Sequence, residues 1–319
     1  MQRRMTYFRL GTALFTAALM GCGHDNQPVK PPATAPAGPR VVSTVPSATM
    51  NLMLINALDR VVGVSTYDQL FLPQDKQQLP VVGDYESMNY EQLIALSPTA
   101  LVIQQAPSRI SPRLKEVAAA HGIELVNMKF DHVEDIWPSV RSLGRVSGHE
   151  KDAEEAIDKA QHELTELKVL YGGKDVVRPK VVYLASPQLM LIAGKNTFID
   201  EMIALAGGEN AGAKAGNDFL EVGREAIVKL APDVLIVDVS EQPPPQGDMA
   251  DDPRLQAWMK LPIPAARNKR VYLLTDGNAL MASVAIGRNV RMLAGLIHEG
   301  GAPATGPAAS MPAAGGGLP

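Results

Sequence analysis

One long amphipathic segment near the middle of the chain limits the folds that the sequence can adopt. Between Glu150 and Tyr171 the apolar residues recur every three or four positions, and Gly172 and Gly173 follow directly. This spacing predicts a single helix with one apolar face, about 33 Å long at 1.5 Å per residue and ended by the glycines. We expect it to connect two separately formed parts of the chain.

Short apolar runs alternate with helix-forming segments on both sides of this helix. Strands are predicted at Arg40–Ser43, Arg60–Val64, Leu79–Val82, Ala100–Ile103, Glu124–Val126, Lys180–Leu184, Val234–Val237 and Arg270–Leu274. Further helices are predicted at Met50–Leu58, Tyr90–Leu96, Pro112–His121, Thr197–Leu205, Glu225–Leu230 and Gly287–His298. Such alternation is typical of parallel sheets covered on both faces. The predicted fold class is α/β, with two similar lobes of mainly parallel sheet, one rigid connecting helix and a ligand cleft between the lobes.

A faint internal repeat supports the similarity of the two lobes. Residues 90–103 read YEQLIALSPTALVI, and residues 224–237 read REAIVKLAPDVLIV. In each copy a glutamate, Glu91 or Glu225, opens a short helix, a proline breaks it, and a buried strand follows. The two glutamates therefore occupy equivalent positions in the two lobes.

Composition excludes one class of partner and is typical of a folded protein. The chain has 319 residues, 46% of them hydrophobic and 20% charged, with a net charge of −4. No long basic run occurs beyond the amino terminus, so nucleic acid is not an expected partner. We expect a monomer.

The amino terminus has the pattern of an export signal that ends at the only cysteine. Arg3, Arg4 and Arg9 precede a short apolar stretch from Leu10 to Met20, which is too short to span a bilayer. The stretch ends Leu19-Met20-Gly21-Cys22 and resembles a bacterial lipobox, although Met20 is larger than the usual residue at its place. The resemblance implies a lipid-modified Cys22, with an ordinary signal peptide and an incidental cysteine as the alternative. General secretion fits better than twin-arginine export.

The expected organisation follows from these patterns. Proline and alanine dominate the segment before Arg40, and glycine, alanine and proline dominate the end of the chain, so both are predicted to be unfolded. We assign residues 1–21 to a signal peptide, 22–39 to a tether, 40–149 to the amino-terminal lobe, 150–173 to the connecting helix, 174–299 to the carboxyl-terminal lobe and 300–319 to a disordered tail.

Catalytic motifs are missing from the sequence. It has neither a Gly-x-Ser-x-Gly elbow nor a His-Glu-x-x-His helix, and the six histidines are dispersed. Gly207 and Gly212 have the outer spacing of a phosphate-binding loop, but Ala213 stands where that motif needs lysine. We predict no catalytic residues, no metal ligands and no cofactor, and therefore no enzyme.

Several blocks resemble the periplasmic binding proteins that serve siderophores, haem and cobalamin, the type with a helical backbone. The similar blocks are RVVSTVPSATMNLMLINALDRVVGVSTYD at 40–68, Val82-Gly-Asp-Tyr, Asn89-Tyr-Glu, and the stretch from Ala193-Gly-Lys to Gly207-Gly-Glu-Asn210. Their order and spacing extend from about Arg40 to His298. The resemblance implies the substrate-binding lipoprotein of an ABC importer, with a permease and its ATPase as partners and a lipid anchor in the membrane. The implied ligand is a metal chelate, either a ferric siderophore or a corrinoid, with haem kept as a third candidate.

The resemblance also implies site residues. Tyr67, Tyr85, Gln105 and Phe219 match positions that line the ligand cleft, although corrinoid binders tend to carry tryptophan at several of them. For haem, Tyr67 or Tyr85 could serve as the axial ligand. Ordinary packing is the alternative explanation for each aromatic residue.

Glu91 and Glu225 match the surface acids that dock onto permease arginines. Helix capping is their alternative role, since a carboxylate in the first turn interacts favourably with the helix dipole. Two other functions stay open, an exported two-lobed enzyme and a ligand-sensing receptor.

Replacing Cys22 tests the lipoprotein assignment. The wild type should incorporate a labelled fatty acid in its bacterial host, and Cys22→Ser should not, because the thiol is the acylated group. Two acyl chains are needed for lasting attachment, so the variant should also be released from the membrane. Equal labelling, or a mature chain that starts elsewhere, would contradict the assignment.

Overall fold

The computed structural model describes residues 38–70, 72–84, 87–173, 177–240, 242–243 and 247–299. The predicted signal peptide, Cys22, most of the tether, the predicted tail and Tyr85 lie outside the described residues. The two lobes belong to one compact unit that begins at Gly38. Within the described part, no helix is both long and apolar enough to cross a membrane.

The amino-terminal lobe is built on a parallel sheet with the strand order β2-β1-β3-β4. Its strands are β1 (Val41–Ser43), β2 (Val61–Val64), β3 (Ala100–Ile103) and β4 (Glu124–Asn127). Its helices are α1 (Pro46–Leu54), α2 (Tyr90–Ala95), α3 (Pro112–His121) and α4 (Ile136–Ser147). Every residue of the two central strands β1 and β3 is buried, which explains why both are continuous apolar runs in the sequence.

One predicted strand of this lobe is not formed. Residues 79–82 contribute only an isolated bridge between Val81 and Val64. Pro80 accepts a hydrogen bond from the amide of Val64, 3.0 Å away, but has no N–H to donate. The prediction of a strand at Leu79–Val82 was therefore wrong, and the segment runs beside β2 as irregular chain.

Helix α5 (Glu150–Tyr171) is 22 residues long and confirms the predicted connecting helix with the same bounds. Two glycines bring the lobes close to it. A Cβ atom at Gly144 of α4 would lie 2.6 Å from the Cβ of Ala153. A Cβ atom at Gly287, in the last helix of the chain, would lie 2.8 Å from the Cβ of Glu163. Both distances are shorter than side chains tolerate, so glycine is needed where each lobe packs against α5.

The carboxyl-terminal lobe has a mixed sheet in the order β10-β9-β5-β6-β8, with β7 also pairing with β5. Its strands are β5 (Lys180–Ser186), β6 (Leu191–Ala193), β7 (Glu209–Asn210), β8 (Phe219–Glu221), β9 (Val234–Asp238) and β10 (Val271–Leu274). Its helices are α6 (Phe198–Leu205), α7 (Arg224–Leu230), α8 (Pro253–Met259), α9 (Pro264–Arg267) and α10 (Ile286–Ala294), which continues as a π-helical turn at Gly295–Glu299. Strands β5, β9 and β10 are parallel, whereas β6 is antiparallel to β5 and β8.

Short 3₁₀ turns connect these elements. They are Leu58–Arg60, Asp68–Leu70, Gln74–Lys76, Pro107–Arg109, Val133–Asp135, Ala211–Lys214 and Met249–Asp251.

The lobes share one hydrophobic core. Buried side chains of β1, α1, α4, α5, α6, β5, β9 and α10 form a continuous cluster that includes Val41, Ile157 and Val181. Each sheet has a second, separate cluster on its opposite face. The apolar face of α5 therefore packs into a core common to both lobes.

Two polar contacts join the lobes directly. The buried Asn51 side chain of α1 donates to the carbonyl of Ala282 and accepts from the amide of Val284, both at 3.0 Å. Glu201 of α6 accepts from the amide of Val133 at 2.7 Å and contacts Nδ1 of His132 at 2.7 Å.

Candidate functional site

The carboxyl ends of the parallel strands mark where a ligand site belongs in this architecture, because ligands of open α/β sheets bind outside those ends. In the amino-terminal lobe, Tyr67 follows β2 and Gln105 follows β3. The structure thus places two of the predicted ligand residues in loops along one edge of the sheet.

Tyr67 is carried by a tight polar turn directly after β2. Within this turn, Oδ2 of Asp68 accepts a hydrogen bond from the amide of Ser65 at 2.8 Å and another from its hydroxyl. The Ser65 hydroxyl accepts in return from the amide of Asp68 at 3.3 Å. These reciprocal bonds have the pattern of a capping box, and both residues are fully buried. Tyr67, in contrast, is 44% exposed, so the turn presents an accessible aromatic residue on a buried support.

Burial also changes the acidity of Asp68. Because the carboxyl is removed from water, its pKa is raised above the ordinary value, and the hydrogen bonds from Ser65 oppose only part of this effect. The carboxyl is a supporting group, since it is fully buried beneath the turn.

The loop after β3 is held from the neighbouring strand. Asn127, the last residue of β4, donates from its side-chain amide to the carbonyl of Gln105 at 2.8 Å and accepts from the amide of Gln105 at 3.0 Å. This pair of bonds fixes the backbone of Gln105, which is half-buried.

Phe219 occupies a different kind of position. It is the first residue of β8, pairs with Ala193 of β6 and is 47% exposed. The end of β8 is Glu221, which pairs with Leu191, next to the end of β5. Phe219 therefore lies on the edge strand, set back from the carboxyl edge of the sheet, whereas Tyr67 and Gln105 follow their strands.

A small polar cavity lies at the carboxyl ends of β5 and β9. Its volume is about 60 Å³, and its polar lining consists of Ser186, Gln188, Asp238, Ser240 and Gln242. Strands β5 and β9 are parallel neighbours in register, so the loops that follow them meet at this point. The cavity is thus the counterpart, in the carboxyl-terminal lobe, of the loops around Tyr67 and Gln105.

Comparison with known proteins identifies the scaffold. The family model described as "Periplasmic binding protein" matches residues 41–277, about three quarters of the chain. This chain belongs to the periplasmic binding protein family. The family implies an exported protein that binds a substrate outside the cytoplasm, and the resemblance found in the sequence is confirmed at this level.

The named relatives of this periplasmic binding protein are also called binding proteins. The "Vitamin B12-binding protein" of Vibrio parahaemolyticus serotype O3:K6 (strain RIMD 2210633) is 27% identical over 239 residues, which cover 74% of this chain and 81% of that protein. The "Uncharacterized ABC transporter substrate-binding lipoprotein YvrC" of Bacillus subtilis (strain 168) is 26% identical over 200 residues, 62% of each chain.

Solved structures share the fold. The periplasmic heme-binding protein HutB of Vibrio cholerae has a TM-score of 0.68 at 20% identity, over 82% of this chain and 99% of that one. The periplasmic vitamin B12-binding protein BtuF of Vibrio cholerae has a TM-score of 0.65 at 19% identity, over 81% and 96%. The predicted fold class, two α/β lobes joined by a helix, is confirmed.

The predicted docking acids both lie at the surface of this periplasmic binding protein. Glu91 is exposed in the first turn of α2, and Glu225 is exposed in the first turn of α7. Helix α2 already has a cap, since the side chain of Asn89 accepts from the amide of Gln92 at 3.0 Å. Gly223, the N-cap residue before α7, has no side chain to act as a cap, and Oε2 of Glu225 lies 2.8 Å from where a Cβ of Gly223 would be. A capping role therefore fits Glu225 better than Glu91.

Two polar groups at the strand ends were missed by reasoning from the sequence. Asp68 could have been found, because Ser65-x-x-Asp68 directly after a strand has the spacing of a capping box. Asp238 stands at the end of β9, but nothing in the local sequence indicates that β5 brings Ser186 beside it. Within the described ranges, no three His, Cys, Asp or Glu side chains form a group that could hold a metal ion.

The raised pKa of Asp68 predicts a pH dependence of stability. The Asp68 carboxyl keeps its proton to a higher pH in the folded protein than in the unfolded chain, where it titrates near pH 4. The contribution of Asp68 to the stability of the folded protein is therefore fully present below that pH, and it is lost as the pH rises through the folded pKa.

The Asp68→Asn side chain cannot ionise, so the variant should not lose stability with rising pH through this group. The free energy of unfolding of the wild type, minus that of Asp68→Asn, should fall as the pH rises above about 4 and level off once Asp68 is ionised in the folded protein, with a slope of at most about 1.4 kcal/mol per pH unit. Urea unfolding at a series of pH values measures the difference. A constant difference would show that Asp68 ionises as readily in the folded protein as in the unfolded chain, and a difference that grows with pH would show that it ionises more readily when folded.

Proposed function

We propose that this protein is the substrate-binding component of an ABC importer, which captures a metal chelate and delivers it to a membrane permease. The candidate ligands are a ferric siderophore or a corrinoid such as cobalamin, with haem third. The observation that carries the proposal is the exposed Tyr67 on its buried Ser65–Asp68 turn, at the carboxyl edge of a sheet in a periplasmic binding protein. An accessible aromatic ring on a fixed support suits the flat face of a macrocycle or a catecholate.

The named relatives support binding and import over catalysis. Those reported above are called vitamin B12-binding, heme-binding and ABC transporter substrate-binding proteins. Asp68, whose pKa is raised by burial, is closed off from solvent and supports a turn, which differs from the accessible and converging groups of a catalytic site.

Membrane attachment through Cys22 belongs to the same proposal. The lipobox-like sequence precedes a proline-rich segment that would hold the folded lobes away from the membrane. A relative named as a lipoprotein supports this assignment.

Calorimetry with a panel of ferric siderophores, haem and cyanocobalamin tests the ligand class. For the member that binds, Tyr67→Ala should lower the affinity about 5- to 150-fold through loss of aromatic contact, which is worth roughly 1–3 kcal/mol. Phe219→Ala should act in the same direction if the edge strand also reaches the ligand. If no panel member binds, the metal-chelate assignment is wrong.

Tyr67→Phe is the matched control for that experiment. It keeps the ring, so affinity for a siderophore or corrinoid held by stacking should change little. Haem bound through a tyrosine oxygen to iron would lose that ligand and its characteristic absorption spectrum. Equal losses in Tyr67→Ala and Tyr67→Phe with a ligand that lacks an open iron site would contradict a stacking role.

The docking role of Glu91 and Glu225 has its own test. The two exposed acids open equivalent helices, each followed by a central strand, β3 or β9. Carboxylates at matching points of two lobes suit a two-fold permease that presents arginines, because a carboxylate–guanidinium pair fixes orientation as well as affinity. The double variant Glu91→Ala/Glu225→Ala should lose uptake and ATPase stimulation in reconstituted vesicles while keeping its ligand affinity.

Single variants separate docking from capping. Glu91→Ala should reduce uptake without lowering the melting temperature, because Asn89 already caps α2. Glu225→Ala should reduce uptake and also lower the melting temperature, because Gly223 supplies no cap of its own. Glu116→Ala, at an exposed acid of α3, serves as the control and should change neither. Normal uptake by the double variant would rule out these acids as the docking pair.

A further inference from the structure

The polar cavity at the ends of β5 and β9 is built around one fixed carboxylate. Asp238 accepts a hydrogen bond from the hydroxyl of Tyr183 at 2.5 Å and from the amide of Ser240 at 2.9 Å. Tyr183 is buried within β5, so the carboxylate is anchored from inside the lobe. Two carboxylate oxygens offer about four acceptor positions, and these two donors from the described residues occupy two of them.

The charge of the cavity determines which groups it can accept. No arginine, lysine or histidine is among the described residues that line it. A carboxylate or phosphate would meet the Asp238 carboxylate at close range without a counter-ion, which is unfavourable in a partly desolvated space. An N–H or O–H donor would instead form a charge-assisted hydrogen bond, which is stronger than a bond between neutral groups. The side chains of Ser186, Gln188, Ser240 and Gln242 line the same space and can act as donors or acceptors.

The size of the cavity limits what enters it. A volume of about 60 Å³ is less than half of the roughly 150 Å³ of a cavity that accommodates benzene. The cavity can therefore take one small terminal group of a ligand, such as a primary amide or a hydroxyl, but not a ring.

We propose that this cavity is a specificity subsite, which binds a neutral hydrogen-bond donor at the edge of the chelate, preferably a primary amide, and disfavours a carboxylate at the same place. The inference rests on the proposed function and narrows it. A corrinoid carries primary amides around its ring, whereas haem carries carboxylates, so the cavity favours a corrinoid over haem.

Calorimetry with cyanocobalamin and with its separated monocarboxylate derivatives, in which one ring amide is hydrolysed, tests this directly. The wild type should bind cyanocobalamin, and the isomer whose altered group enters the cavity should bind about 10-fold more weakly or worse. Asp238→Asn should remove most of that difference, because it removes the like charge while an amide oxygen can still accept from Ser240. Asp251→Asn, at an exposed acid that does not line the cavity, should leave the difference intact.

A second variant tests the same electrostatic argument by a gain of binding. Gln188 is exposed at the rim of the cavity, so Gln188→Lys can be introduced without disturbing the core. The added ammonium should improve the affinity for the sensitive monocarboxylate severalfold, a result that misfolding cannot produce.

The outcomes separate this inference from the proposed function. Equal binding of cyanocobalamin and all its monocarboxylates by the wild type would overturn the inference, and so would a difference that persists in Asp238→Asn. Binding of haem or of a ferric siderophore in the absence of any cyanocobalamin binding would overturn the inference and leave the metal-chelate function standing. Binding of none of these chelates would overturn both.

Discussion

A hydrophobic core that runs unbroken from one lobe to the other is the constraint on which the rest of the structure depends. The apolar face of α5 is part of this core, and glycines at 144 and 287 bring α4 and α10 close to the helix. Any rotation of one lobe against the other would expose apolar side chains of both and break the close packing at the glycines, which core packing does not tolerate at low cost.

Hydrogen bonds between the lobes fix their relative orientation, which apolar packing alone specifies less strictly. Asn51 bonds to backbone groups of residues 282 and 284, and Glu201 bonds to the backbone amide of Val133. If the lobes shifted, the buried Asn51 side chain would lose both partners while shielded from water, at a cost of about 1–3 kcal/mol for each unsatisfied group. The sheet edges that carry Tyr67 and Asp238 are therefore held at a fixed separation. A site of this kind recognises its ligand by fit, because little conformational freedom is left to lose on binding.

The fold was predictable where the signal was local. The apolar periodicity of residues 150–171 gave the helix with its observed bounds, and the buried runs of β3 and β9 were predicted from their own composition. Helix α4 was missed because Pro138 and Gly144 lower its helix propensity, although its buried Val140, Leu143 and Val146 have helical spacing. The antiparallel strands β6 and β8 are three residues each, too short for a periodic signal, and exist because each pairs with the other.

The candidate site was less predictable, because the contacts that support it are mostly not local in the sequence. Family resemblance selected Tyr67 and Gln105, and the structure places both after strands of one sheet. The groups that support them act across the chain or through burial. Asn127 fixes the backbone of Gln105 from 22 residues away. Such pairs have no signature in a single sequence, because tertiary packing alone decides which strand ends become neighbours.

The internal repeat shows how two lobes with similar backbones can contribute differently to ligand recognition. In the two copies, Gln104 and Asp238 occupy the same position at the end of a central strand. In the proposed site, the amino-terminal lobe presents an aromatic ring, whose contact energy depends on area and tolerates many flat ligands. The carboxyl-terminal lobe presents a fixed carboxylate in a space for one small group, where a wrong partner leaves a desolvated charge unpaired or opposed. Since mismatched polar groups discriminate far more strongly than mismatched apolar area, affinity in this arrangement comes mainly from the first lobe and selectivity from the second. The repeated position carries an amide in the first lobe and a carboxylate in the second, and this difference is one source of that asymmetry.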